Sequence, residues 1–167
     1  MTFLEVIRDQ TQRSIWSLKN IINCVPEEYW YKEYCEMSFW KHTYHTIHSL
    51  DRWYINPERY EEPDIHIENL NNLDVRTDGI LSRVDIDNYL QSVSEKITDY
   101  ISTLTDEKLS AKPEGCDYSR LHLILAQHRH LDMHIGMMMG FIIADTGKWP
   151  RVMGLQSEFQ DNQSSFF

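Results

Sequence analysis

Apolar residues recur every three or four positions along most of the chain, a spacing that predicts long amphipathic helices. The first predicted helix spans about residues 3–24 and stops before Pro26, because the residue preceding a proline disfavours helical backbone angles. The second spans about residues 34–55 and stops before Pro57. Residues 56–79 contain several Asn and Asp residues and no sustained period, so they predict a long connection.

The third predicted helix has the clearest amphipathic pattern. It opens at Ser82, and Asp85 stands three residues later, where the acidic member of a capping box belongs. Its apolar positions then follow at steps of three and four as far as Leu104, with polar residues on the other face. Packing against a core explains this pattern without any further function.

A fourth helix is predicted from a cap at Asp117 or Ser119 to about Asp145. Four long helices and no convincing strand predict an all-α bundle. The chain shows no internal repeat, so we expect one domain over residues 1–150. The segment 151–167 is then a C-terminal tail, which we expect to be mobile.

The amino-acid composition argues against some classes of binding partner. The chain carries 16 Lys and Arg residues against 26 Asp and Glu residues, a formal net charge of −10, which predicts no binding to nucleic acid or to anionic membranes. The longest apolar run, Ile135 to Ala144, is far shorter than the roughly 20 residues of a membrane span. The first residues lack the pattern of a signal peptide. The three cysteines are odd in number and widely spaced, which predicts reduced thiols in a cytoplasmic protein: Cys24, Cys35 and Cys116.

Histidines on two of the predicted helices are the candidate ligands of a metal site. His130 and His134 are four residues apart on the fourth helix, so they share one face, and the surrounding apolar residues place that face at the core. Buried imidazoles need partners, and a divalent metal ion would satisfy both. A third ligand would come from the second helix, which carries His42, His45 and His48.

The same residues also fit a core without metal, in which Gln127, a tyrosine or a backbone carbonyl satisfies the rings. The HxxxH spacing decides little, because chance alone gives roughly 0.4 such pairs in a chain of this composition. Two other features have plain structural interpretations. The methionines around Met137 read as flexible core filling, and the acidic stretch Glu58 to Asp64 reads as a solvated loop.

The two histidine motifs together resemble a known family. The run WKHTYHTIHSLDRWYINP at 40–57, followed by QHRHLDMHIG at 127–136, resembles the DinB-like superfamily, over about residues 3–145. That superfamily includes the bacillithiol- and mycothiol-dependent S-transferases. The resemblance implies a four-helix bundle with a long crossover between its second and third helices, a three-histidine site for zinc or nickel, and a homodimer.

The resemblance also implies which residues bind the metal. His130 and His134 match the pair on the fourth helix, and His45 best matches the ligand on the second helix, because it precedes Asp51 by six positions. His48, one turn further on, stays open as the rival ligand. Asp51 lies three residues after His48, where it could orient that ring.

Two functions follow from these expectations. In the first, the metal lowers the pKa of a low-molecular-weight thiol, whose thiolate attacks an electrophile, or it activates water for hydrolysis. Gln127 would support a ligand or touch the substrate. In the second, the protein is a non-catalytic, stress-related bundle that binds metal or a small ligand. The sequence names neither the thiol nor the electrophile.

Overall fold

The computed structural model describes residues 2–159 and 164–167 and is mainly helical. Residues 160–163 of the predicted mobile tail lie outside the described residues. The described residues contain four long helices and two short ones: α1 (Phe3–Cys24), α2 (Glu27–Trp30), α3 (Phe39–Trp53), α4 (Arg83–Ser102), α5 (Asp106–Ser110) and α6 (Arg120–Thr146). The bounds of α1 and α6 agree with the predicted first and fourth helices to within about a residue.

The second long helix starts later than predicted, because a small hairpin occupies the residues before it. Strands β1 (Glu33–Tyr34) and β2 (Met37–Ser38) pair antiparallel, so the expectation of no strand is wrong here. Cys35 and Glu36 form the turn with φ of 50° and 68°. Two-residue hairpin turns need such left-handed angles, which usually come with Gly or Asn. Neither residue carries that signal, and the sequence pattern therefore missed the hairpin.

The helix caps agree with the sequence-based predictions better than the start of α3 does. Ser82 and Asp85 form the predicted capping box at the start of α4, each side chain bonding to the other residue's backbone N–H. At α6, Ser119 rather than Asp117 is the N-cap, and its hydroxyl accepts a hydrogen bond from the backbone of His122. Gly147 ends α6 with φ of 69°, the left-handed angle that glycine adopts without strain.

The four long helices share one hydrophobic core. α3 packs against both α4 and α6, and α1 also packs against both α4 and α6. Fully buried aliphatic residues from α1, α3, α4 and α6 meet at its centre: Leu18, Ile21, Ile47, Ile86, Ile97 and Ile124. Within the described residues, no helix combines the length and the apolar character needed to cross a membrane.

The long connection between α3 and α4, which we call the crossover (residues 54–82), lies along α3. Only a 3-10 turn at Pro57–Arg59 interrupts its irregular backbone. The Lys41 ammonium donates to the carbonyl of Val75, and the His45 ring donates to the carbonyl of Asn71 at 2.7 Å. The crossover is therefore packed against α3 by specific contacts.

The described parts of the tail contact α1. The Asn20 side chain makes two hydrogen bonds of 2.9 Å with Phe166, one to the backbone N–H and one to the carbonyl. The Phe166 ring lies 5.8 Å from the ring of Trp16. Ser17 accepts a hydrogen bond of 2.9 Å from the backbone of Met153. These contacts dock both described portions of the tail on one helix.

Candidate metal centre

Helices α3 and α6 bring three histidines into one group. His130 and His134 lie one turn apart on α6, and His45 faces them from α3, which packs against α6. The ring centroids are 4.4 Å apart for the pair on α6, and 5.3 Å and 4.7 Å from His45 to His130 and His134. One ligand nitrogen from each ring lies within 4.8 Å of the other two, so the group can hold a metal ion.

The spacing of the nitrogens suits a tetrahedral ion. The Nε2 atoms of His130 and His134 are 3.1 Å apart. Zn–N bonds of about 2.0–2.1 Å at tetrahedral angles separate two ligand nitrogens by roughly 3.3–3.4 Å. The observed distance differs from this by a few tenths of an ångström, which small rotations of the two side chains supply.

The crossover fixes the orientation of the His45 ring. Its Nδ1 lies 2.7 Å from the carbonyl oxygen of Asn71. A carbonyl can only accept, so Nδ1 carries the proton and the lone pair is left on Nε2. A backbone carbonyl bound to the far nitrogen is the usual way that proteins orient a metal-binding histidine. The backbone of Asn71 is thus a positioning group that the sequence analysis missed, because a carbonyl leaves no residue-type signal.

Burial keeps the pair on α6 uncharged. Desolvation lowers the pKa of His130, and the proximity of His45 adds to the effect. Desolvation likewise lowers the pKa of His134 to about 3, with smaller contributions from the neighbouring histidines. At neutral pH both rings are therefore neutral imidazoles, the form that binds metals.

The alternative of a hydrogen-bonded core finds little support around these rings. The Nδ1 atoms of His130 and His134 are buried and have no hydrogen-bond partner among the described residues. Gln127, one of the three kinds of partner expected for these rings, instead accepts a hydrogen bond of 3.3 Å from the hydroxyl of Ser49. Without an ion, the pair on α6 has one N–H···N hydrogen bond between its Nε2 atoms. A network that satisfies the rings is absent from the part of the chain that the structure describes.

Other helical histidines have partners away from this group. His42 Nε2 lies 2.8 Å from the carbonyl oxygen of Tyr34, and His128 Nε2 lies 2.8 Å from the hydroxyl of Thr11 on α1. His128 therefore points away from His130, as the helical angle between them predicts. Neither residue belongs to the three-histidine group.

His48, the rival ligand, belongs to a different group with Glu62 and His66 of the crossover. The acidic stretch is therefore more than the predicted solvated loop, because Glu62 accepts a hydrogen bond of 2.7 Å from His48. The sequence pattern did not predict this group, because Glu62 and His66 lie on an irregular segment whose path past α3 leaves no periodic signal.

Asp51 has partners other than the expected His48 ring. Its carboxylate accepts hydrogen bonds from the Tyr89 hydroxyl at 3.1 Å and from the Lys96 ammonium at 2.6 Å. Both donors lie on α4, so this carboxylate joins α3 to α4. Glu62, not Asp51, bonds to His48.

A groove opens beside the N-terminal half of α6. It has a volume of about 1100 Å³, and its walls include Trp53, Tyr118 and Leu125. Gln127 also lines it, one helical turn before His130. The groove therefore offers an apolar surface and an amide close along the helix to the three-histidine group.

Comparisons of the chain with protein-family models, with curated proteins and with solved structures give no match. The likeness to the DinB-like superfamily rests on the two histidine motifs, their order and their helical setting. Family membership, transferase activity and the homodimer stay predictions.

Proposed function

We propose that the chain is a DinB-like four-helix bundle whose His45, His130 and His134 bind one zinc or nickel ion for metal-dependent chemistry on a small molecule. The observation that carries this proposal is the convergence of three imidazoles from two helices. The lowered pKa values of His130 and His134 and the carbonyl that orients His45 support it.

The packing of the helices supports the bundle. The second and third long helices, α3 and α4, are joined by the crossover, where the resemblance expects a long connection. Each of the four long helices contacts two others around one core. This pairing is typical of four-helix bundles, in which facing helices supply the ligands of a metal site in the core.

The proposed chemistry is transfer of a thiol sulfur to an electrophile. Three histidine ligands leave positions open for substrate, and a bound ion would lower the pKa of a thiol or of water placed there. The thiol would lose its proton to solvent water, its sulfur would form a bond to the electrophilic carbon, and the leaving group would depart with the bonding electron pair. The chain contributes a rigid helical pair of ligands, an oriented His45, and the Gln127 amide with the adjoining groove to position the substrate.

A non-catalytic binding protein is the second candidate. All three imidazoles of the group would be metal ligands and the group contains no carboxylate, so none of its side chains is left to act as a general base. Such a protein would bind metal or a small ligand, and its metal-binding form differs from the enzyme only in turnover.

The test is thiol-dependent turnover by zinc-loaded and nickel-loaded protein. Cysteine or glutathione would serve as the thiol and a chloronitrobenzene as the chromogenic electrophile, with His130→Ala/His134→Ala as the matched variant. We expect product formation that needs wild-type protein and metal together. Metal binding without turnover across thiols and electrophiles would favour the binding protein. No metal binding would exclude the enzyme and the metal-binding form of the second candidate.

A further inference from the structure

A second group of metal-ligating side chains lies where the crossover passes over α3. The His48 Nε2 and Glu62 Oε2 atoms are 2.7 Å apart, and the same carboxylate oxygen lies 3.7 Å from His66 Nδ1. One ligand atom from each of the three residues lies within 4.8 Å of the other two. We propose that His48, Glu62 and His66 form a second divalent-cation site, selective for zinc-like ions, that fastens the crossover to α3.

The ligand set fits the chemistry of zinc. Two imidazoles and one carboxylate form a common three-residue zinc set, with other positions left to water. Ligand atoms on a tetrahedral ion lie roughly 3.3 Å apart, and the two measured separations stand on either side of that value. The centroids of the His48 and His66 rings are 5.1 Å apart and their planes are inclined by 28°. Small rotations of the side chains would bring the three ligand atoms around one centre.

Burial and charge also favour a cation here. The His48 side chain is 3% exposed and that of Glu62 is 43% exposed, so one side of the site is sealed and the other is open to an entering ion. Glu62 supplies the carboxylate of the group, and its Oε2 faces both His48 and His66. A carboxylate beside two imidazoles gives the group the donor atoms and the negative charge that a zinc-like cation binds.

Two tyrosines form the outer contacts of the group. The Tyr60 hydroxyl donates to Glu62 Oε2 at 3.1 Å, a contact that orients the carboxylate. The Tyr44 hydroxyl lies 2.8 Å from His66 Nδ1 and occupies that nitrogen when no ion is bound. An ion bound at that nitrogen would displace the Tyr44 hydroxyl from His66.

The second site is independent of the first in its ligands. His45 and His48 are one turn apart on α3, but His45 faces α6 while His48 faces the start of the crossover. Binding there would link α3 to residues 62 and 66 of the crossover, upstream of the Asn71 carbonyl that orients His45. An ion at the second site would therefore hold the segment that supports the first.

The experiment measures zinc binding in competition with a chromophoric chelator, first in the wild-type protein and then in His130→Ala/His134→Ala. We expect about two zinc ions per chain in the wild type and about one in the double variant. Adding Glu62→Gln to the double variant should weaken the remaining site about 100-fold or more, because the amide is a poor zinc ligand. Glu61→Gln is the matched control, since it makes the same substitution at the exposed neighbouring carboxylate, which is outside the group, and it should keep the site.

Hydrogen exchange gives a second readout that does not depend on stoichiometry. Zinc added to the double variant should slow exchange of the backbone around residues 62–66, and Glu62→Gln should abolish this protection. If Glu62→Gln alters the circular dichroism spectrum, His66→Gln replaces it as the ligand variant.

The outcomes separate the two metal proposals. One zinc ion in the wild type and none in the double variant would overturn the second site and leave the three-histidine site standing. One ion in the double variant that is lost with Glu62→Gln would support the second site whatever happens at the first. Zinc binding to the double variant that Glu62→Gln and His66→Gln leave unchanged would also overturn the proposal.

Discussion

Truncating Leu70 tests whether the crossover is part of the packed fold. The Leu70 side chain is 1% exposed and joins the main hydrophobic core, although it lies outside every helix. Leu70→Ala should lower the free energy of unfolding by about 2–5 kcal/mol, since it removes buried methyl groups and leaves a cavity. For a chain of this length, that loss corresponds to a fall in Tm of roughly 4–20 °C.

Ile67, in the same segment, provides the matched control. Its side chain is 46% exposed, so Ile67→Ala should change the free energy of unfolding by no more than about 0.5 kcal/mol. Urea denaturation of the metal-free proteins, followed by circular dichroism, gives both values with their slopes. Equal losses for Leu70→Ala and Ile67→Ala would refute the reasoning, because the crossover would then contribute no core packing.

The Leu70 variant has a second consequence at the candidate metal centre. Leu70 directly precedes Asn71, whose carbonyl orients the His45 ring. Loosening this backbone should weaken zinc binding at the three-histidine group by about 10–100-fold, the usual effect of losing an orienting contact. Unchanged zinc affinity in a folded Leu70→Ala protein would show that the carbonyl does not position the ligand.

Three further predictions concern other parts of the fold. Tyr89→Phe removes the hydrogen bond from the Tyr89 hydroxyl to the buried Asp51 carboxylate. It should lower the free energy of unfolding, measured by urea denaturation, by about 1.5–3 kcal/mol. Burial raises the pKa of the Cys24 thiol to about 11, so at pH 8 roughly one Cys24 thiol in a thousand is ionised. Mass spectrometry after alkylation should therefore find the exposed Cys35 modified first. Cys24 should become reactive only as the pH rises. Gly147→Ala should cost about 1–2 kcal/mol because of its left-handed φ, whereas Gly136→Ala, within α6 and open to solvent, should stabilise the protein by about 0.5–1 kcal/mol in thermal denaturation.

Periodicity and caps predicted the long helices because each signal is local. The capping box at Ser82 and Asp85 lies within one turn, and the apolar positions of α4 repeat at helical spacing. The start of α3 was predicted less well, because Cys35 and Glu36 are not residue types typical of a left-handed turn. Local signals therefore located the helices and missed the hairpin that precedes one of them.

The histidine groups show the same limit at longer range. Helical spacing placed His130 and His134 on one face, but it left His45 and His48 as equal candidates, and the resemblance favoured His45. The fold separates them through the crossover, which contacts both rings at different points. Periodicity does not predict the path of an irregular segment, so the contact between Glu62 and His48 was not predicted.

The most direct test of the central claim is the metal content of untagged protein purified without chelator. Elemental analysis would compare the wild type with His130→Ala/His134→Ala after both have been dialysed against metal-free buffer. The three-histidine site predicts zinc or nickel in the wild type and about one ion fewer per chain in the variant. Equal metal content in the two proteins, with or without added zinc and nickel, would contradict it.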